Sequence, residues 1–184
     1  NQTHSNKVIE IKHNNYKKKI NADAIITKIT GIGLCVLTAD CVPILLYDKK
    51  NQIVGSIHAG WKGAFSRVIQ NTILRIKKKN SNNLIYACVG PCIGKKSYEV
   101  DDIFFKKFIK KSRKNKKYFS KKNKNKMIFD LRNFVSDKLL KLKVDVDHVN
   151  FDTFREKNNF FSYRRSTLLK HNDYGRCISI IRLV

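Results

Sequence analysis

The sequence predicts a single domain of alternating strands and helices, and three observations carry that prediction. Short apolar runs with strand character alternate along the chain with stretches of helical periodicity. At 184 residues and 42% hydrophobic, the chain can bury one substantial core. Neither an internal repeat nor a second domain is evident in it.

Taken in order, Val8-Ile9-Glu10-Ile11 alternates and reads as a strand, with His4 just before it. Lys17 to Ile20 is polar connection, and Ala22-Asp23-Ala24 leads into the apolar run Ile25 to Ile29. Gly31 to Tyr47 is too long for one buried strand and is interrupted at Asp40 and Pro43. It reads as strand, sharp bend at Thr38-Ala39-Asp40-Cys41, then strand, with Pro43 confined to the bend or to an edge. Gln52 to His58 is a further strand, and Phe65, Val68, Ile69, Thr72, Ile73 and Ile76 follow at the spacing of one helix. Leu84 to Val89 is a strand that ends in Gly90-Pro91-Cys92-Ile93-Gly94. Cys88 and Cys92 lack C-x-x-C spacing and read as core and turn cysteines. Glu99 to Phe108 reads as a short helix with Val100, Ile103, Phe104 and Phe108 inward, and Ile109 to Lys126 as a solvated loop or frayed helix end. Asp130 can cap a helix running to about Lys143, Asp147 to Phe151 is a strand, and Cys177 to Val184 closes the chain as another.

The formal charge of +25 is extreme, and such a field attracts nucleic acid or anionic lipid. The lysines, however, are spread along the chain and mixed with asparagine, as in Lys77-Lys78-Lys79-Asn80 and Lys121 to Lys126, with no nucleic-acid-binding motif among them. Compositional drift toward Lys and Asn explains this better than a binding footprint. Five cysteines, an odd number, with no signal peptide and no long apolar span, predict a reduced, cytoplasmic protein with free or metal-bound thiols and no membrane partner. The chain begins at Asn1 rather than Met, which suggests a processed form or a fragment.

The stretch from Leu37 to Gly63 concentrates the chemistry. An acid between two apolar runs needs a partner, which favours a functional Asp40-Cys41 over a turn aspartate beside a core cysteine. Cys41 and His58 are the soft and borderline donors that Zn²⁺ or copper accepts, each at the end of a strand. A lone histidine such as His4 is ordinarily an exposed bystander, and it becomes a third ligand only if the fold brings it to that pair. The glycines of His58-Ala59-Gly60-Trp61-Lys62-Gly63 permit close backbone approach, and the helix they open offers N–H groups to an anion. Phe160-Phe161-Ser162-Tyr163-Arg164-Arg165 could stack a base and clamp an anion, or be a core aromatic pair with surface arginines; both readings stand.

Thr38-Ala39-Asp40-Cys41-Val42-Pro43, His58-Ala59-Gly60-Trp61-Lys62-Gly63, Gly90-Pro91-Cys92-Ile93-Gly94 with Tyr98-Glu99-Val100, and Phe161-Ser162-Tyr163-Arg164-Arg165 with Gly175-Arg176 occur in this order. In them the chain resembles the laccase-domain purine nucleoside phosphorylases, also called YfiH-type proteins or polyphenol oxidases. The resemblance runs the whole length, as one domain over residues 1–184. It implies an α+β arrangement in which two mixed sheets are flanked by helices, and a metal held by the residues that match His4, Cys41 and His58. It also implies phosphorolysis of adenosine, inosine, guanosine and methylthioadenosine, and deamination of adenosine. In deamination, water activated at the centre attacks C6 of adenine while Asp40 moves protons; in phosphorolysis Lys62, Arg164, Arg165 and the N–H groups after Gly60 hold phosphate. Asp40 and Cys41 are thus the expected catalytic residues, purine nucleosides and phosphate the partners, and zinc the expected ion with copper as the alternative.

The chain departs from the family pattern at several points. Thr3 and Ser5 differ from the usual neighbours of His4, Lys62 replaces an arginine, and Asp152 stands where many members have cysteine. The segment that precedes the first histidine motif in the family, with its Arg- and Gly-rich motif, has no counterpart among these residues. Three other readings compete: a metal-free hydrolase with Cys41 as nucleophile and His58 as base, a copper-dependent phenol oxidase, and a basic nucleic-acid-binding protein. Five histidines are few for a multicopper enzyme.

Overall fold

The computed structural model describes residues 1–78 and 83–184. Of the Lys77 to Asn80 run, Lys79 and Asn80 therefore lie outside the described residues. The strands are β1 (Val8–Ile11), β2 (Ala24–Thr27), β3 (Leu34–Thr38), β4 (Val42–Asp48), β5 (Ile53–Ala59), β6 (Ile85–Val89), β7 (Glu99–Asp101), β8 (Phe119–Lys121), β9 (Lys126–Phe129), β10 (Val144–His148) and β11 (Cys177–Ile181). The helices are α1 (Trp61–Phe65), α2 (Val68–Lys77), α3 (Asp102–Lys111), α4 (Leu131–Leu140) and α5 (Tyr163–Leu168).

The fold is α+β, with mixed strand pairing and flanking helices as expected. Six strands form one sheet in the order β1-β2-β5-β4-β6-β10, with β1/β2 and β6/β10 parallel and the inner pairs antiparallel. The other two sheets, β11-β3 and β7-β9-β8, are antiparallel. All seven residues of β5 are buried, because α2 covers one face of the strand and the β3–β11 pair the other. β3 alternates instead, with Leu34, Val36 and Thr38 inward and Cys35 and Leu37 outward. The main core joins Ile44, Leu46 and Ile57 of the sheet to Ile69 and Ile73 of α2 and to an aromatic group around Phe108, Phe129 and Phe134.

Several elements depart from the sequence reading. The helix expected from Phe65 to Ile76 is broken at Ser66 and Arg67, where Arg67 adopts a left-handed φ of 78°. The break lets Trp61 and Phe65 pack on Phe104 and Phe108 while α2 keeps its own apolar face on the sheet. Glu99–Asp101 is strand, and Asp101 accepts the Phe104 N–H at 2.7 Å, so the helix starts only at Asp102. Ile103 then points outward at 78% exposure, while Phe104 and Phe108 face in. The lysine-rich stretch 109–126 is ordered by two aromatic anchors: Tyr118, whose hydroxyl donates to Asp137 at 2.7 Å, and Phe119, stacked on Phe129. The strand expected at Asp147 to Phe151 lies earlier, as β10. Pro43 is neither in the bend nor on an edge but second in the central strand β4. Its carbonyl accepts from Gly90 N–H just past the end of β6, so its missing N–H falls where the β6 ladder has already stopped.

Candidate metal centre

Strand register brings the site together at one end of the sheet. β2 pairs with β5 so that Ala24 opposes Ile57, which makes Asp23 the neighbour of His58, and the His58 N–H donates to the Asp23 carbonyl at 2.7 Å. The Asp23 side chain, 3% exposed, then organises two histidines. Its Oδ1 lies 2.8 Å from His58 Nδ1 and accepts the His4 backbone N–H at 2.9 Å; its Oδ2 accepts the Thr3 and Ser5 N–H groups at 3.1 and 2.6 Å and the Ser5 hydroxyl at 2.7 Å. Burial opposes the charge of this carboxyl, yet the donors from His58, Ser5 and Thr3 outweigh it and hold the group well below the usual carboxylate range. An ionised Asp23 puts the His58 proton on Nδ1 and leaves the Nε2 lone pair free. The same N–H bonds wrap the chain around the carboxylate with His4 at a left-handed φ of 58°, so that the imidazole turns toward His58, ring centroids 4.7 Å apart.

Cys41 arrives from the other side, on the bend between β3 and β4. Asp40, at φ 81°, ties that bend to two distant segments. Its Oδ1 accepts from the Thr153 hydroxyl at 2.7 Å, and its Oδ2 from the Ser162 hydroxyl at 2.9 Å and the Arg164 N–H at 2.7 Å. Cys41 Sγ lies 3.7 Å from His4 Nε2, and the ligating atoms of His4, Cys41 and His58 all fall within 4.8 Å of one another. Tetrahedral zinc, with bonds of roughly 2.3 Å to sulfur and 2.0 Å to nitrogen, separates sulfur from nitrogen by about 3.5 Å, so the Cys41–His4 spacing suits such an ion. Gly60 makes the space: a Cβ there would stand 2.8 Å from Cys41 Sγ and 2.9 Å from His4 Cδ2.

The protonation chemistry agrees with the geometry. Burial pushes the Cys41 thiol up to about 12, and the Asp40 charge adds to the effect. Burial, and then His58, push His4 down from its ordinary value, which favours the neutral imidazole that a metal needs. Two imidazoles and a thiol that only a cation would ionise form a donor set suited to a divalent metal.

The residues expected to meet substrate differ in how they are engaged. Lys62 is exposed and close enough to His4 to act on it electrostatically, and it has no ion-pair partner among the described residues. Arg164 donates from Nη2 to the Glu99 carbonyl at 2.9 Å and lies over the Tyr98 ring, 5.6 Å from its centroid. Arg165 is spent on the backbone: Nη1 donates to the Thr153 and Phe154 carbonyls, both at 2.8 Å, and Nη2 to the Phe160 carbonyl at 2.5 Å. Phe161 stays half exposed against Gly175. Sequence reasoning passed over Asp23, though an acid placed between Ala22 and Ala24 ahead of an apolar run is the same signal that drew attention to Asp40.

The family model described as multi-copper polyphenol oxidoreductase laccase matches residues 1–184. The chain belongs to this family. Within the curated relatives of this laccase-type chain, a purine nucleoside phosphorylase of Rickettsia conorii is 39% identical over 168 residues, covering 90% of this chain and 69% of that protein. One of Haemophilus influenzae is 32% identical over 183 residues, covering 98% and 71%. Among solved structures, Bacillus licheniformis hypothetical protein YfiH superposes with a TM-score of 0.87 at 26% identity, over 100% of this chain and 72% of that one. A Neisseria meningitidis protein does so with 0.86 at 30% identity, over 99% and 72%.

Proposed function

We propose that this laccase-type chain is a metal-dependent purine nucleoside phosphorylase that also deaminates adenosine, with His4, Cys41 and His58 as the metal ligands. One observation carries the reading: three donors from distant parts of the chain converge, and a single buried carboxylate, Asp23, holds two of them. The names of the relatives, purine nucleoside phosphorylases, supply the reaction. When bound, zinc, or copper in its place, acts as a Lewis acid and leaves a coordination position open for chemistry.

Each side chain then has a task. Asp23 keeps the proton on His58 Nδ1 and fixes His4. Asp40, which accepts three hydrogen bonds from Thr153, Ser162 and Arg164, positions the Cys41 bend rather than moving protons. Lys62 and Arg164, cations without an ion-pair partner among the described residues, face the substrate. Arg165 holds the 153–160 loop. The substrates are purine nucleosides with phosphate, and the five unpaired cysteines suit a reducing cytoplasm. Among the described residues no helix is long and apolar enough to cross a membrane.

The rival readings meet specific obstacles. A Cys41 nucleophile needs a lowered thiol pKa, whereas burial raises this one. A multicopper oxidase needs several ligand groups, and the described residues gather one. Incubating the protein with adenosine, with and without phosphate, and separating the products tests the proposal. Adenine that forms only with phosphate, and inosine that forms without it, are the expected results. No product beyond a chelator-treated blank would sink the enzymatic reading.

A further inference from the structure

Gln2 joins the two segments that carry His4 and Cys41. His4 sits on the strap of residues 1–5, which is bonded along its length to the stretch ahead of β2: the Asn1 carbonyl accepts the Ala22 N–H at 3.0 Å, and Asp23 takes the N–H groups of Thr3, His4 and Ser5. Cys41 sits on the bend after β3, anchored through Asp40 to Thr153, Ser162 and Arg164. Each ligand therefore has an anchor of its own, and neither anchor fixes the distance between the two. The side-chain amide of Gln2 spans that distance. Its Nε2 donates to the Leu37 carbonyl at 2.7 Å, and its Oε1 accepts the Leu37 N–H at 2.9 Å. β3 pairs with β11 along one edge, and on its other edge the amide stands in for the peptide group of a neighbouring strand. Apart from the contact of Cys41 Sγ with His4 Nε2, these two are the hydrogen bonds between residues 1–5 and 33–41 among the described residues.

Packing does not duplicate the link. A cavity of about 260 Å³ lies between the strap and the facing strands, lined by Gln2, Asp23, Leu34, Val36, Ser56 and His58, so the amide bridges a gap that side chains leave open. We infer that Gln2 is a positioning residue of the metal centre, setting the separation of the His4 and Cys41 donors by holding the strap against Leu37. This rests on the metal-centre reading and concerns a residue that supplies no donor of its own. Leu37 presents one donor and one acceptor, and an amide of this length answers both at once. Methionine matches the length and the apolar stem but makes neither bond. Water can replace the lost bonds at this exposed edge, so Gln2→Met removes the bridge with little change in bulk.

Cobalt(II) binding to the whole chain tests the inference, measured by competition with a metal-sensitive dye and by sulfur-to-cobalt charge transfer, in wild type, Gln2→Met, His4→Ala and the double variant. Urea unfolding of the metal-free proteins checks that all four fold. Gln2→Met is expected to bind cobalt about tenfold more weakly, the lower end of the range for a supporting group, and to shift the charge-transfer band. In the His4→Ala background no imidazole remains to be placed, and the same substitution should change affinity by no more than about twofold. An equal loss in both backgrounds is what a purely structural glutamine gives, and it overturns the inference, as does equal affinity in wild type and Gln2→Met. A wild type that binds no cobalt overturns it together with the metal reading. Coupling between Gln2 and His4 in a chain that turns over no adenosine upholds the inference and removes the enzymatic reading alone.

Discussion

The Asp23 carboxylate lies 2.8 Å from His58 Nδ1 while it gathers the backbone N–H groups of Thr3, His4 and Ser5, so one buried acid sets the direction of two imidazoles. Replacing it tests whether the centre is assembled by this group. Asp23→Asn keeps the size but loses the charge-assisted bonds, and metal affinity should fall 10- to 100-fold, the usual order for such a supporting group. Stability should fall by about 2 kcal/mol or more, since several donors lose a charged acceptor in a buried site. Competition with a metal-sensitive dye and urea unfolding measure the two effects.

Gly60 offers a steric test free of backbone strain. Its φ of −68° and ψ of 167° suit alanine, but the added Cβ would meet Cys41 Sγ at 2.8 Å and His4 Cδ2 at 2.9 Å. Gly60→Ala should therefore fold with a stability close to that of the metal-free wild type and retain little metal, as determined by elemental analysis of the purified protein.

Asp40→Asn separates positioning from proton transfer. The carboxylate accepts from Thr153, Ser162 and Arg164 and so joins the Cys41 bend to α5. An amide presents one acceptor oxygen where the site needs two. The expected result is a loss of about 2 kcal/mol in chemical unfolding, with a matching loosening of metal binding. Unchanged stability together with lost turnover would return Asp40 to the catalytic role expected from the sequence.

Lys138 predicts a pH dependence away from the centre. Burial, followed by repulsion from Lys111, Lys141 and Arg67, pushes its ammonium down to about 8, against 10.5 in an unfolded chain. Between those two values the unfolded chain holds a proton that the folded chain has released, so stability rises with pH across that window and the penalty is complete below it. Lys138→Gln should raise the urea midpoint at pH 7, and its advantage over wild type should shrink as pH climbs toward 10.

Cys41 and His58 were legible because a soft donor and an imidazole at the ends of apolar strands have few bland explanations. His4 was not: a histidine near a terminus gains meaning only from the Asp23 bonds that fold the chain around it, and the family resemblance alone named it. Asp23 itself depends on the register of β2 against β5, which periodicity does not encode. The break at Arg67 escaped for a similar reason, since one left-handed residue barely disturbs an apolar spacing of three and four. In the 109–126 stretch, the lysines and asparagines masked Tyr118 and Phe119, the two rings that order it. Arg165 shows the opposite limit: its residue type suggests anion binding, while three backbone carbonyls take its donors.

Cobalt substitution tests the central claim most directly, because sulfur-to-cobalt charge transfer reports a thiolate on the ion. One ion per chain is predicted, with that absorption present in the wild type, abolished in Cys41→Ala, and accompanied by weakened binding in His4→Ala and His58→Ala. Stoichiometric cobalt with no charge-transfer band, or full binding retained in all three variants, would contradict the account.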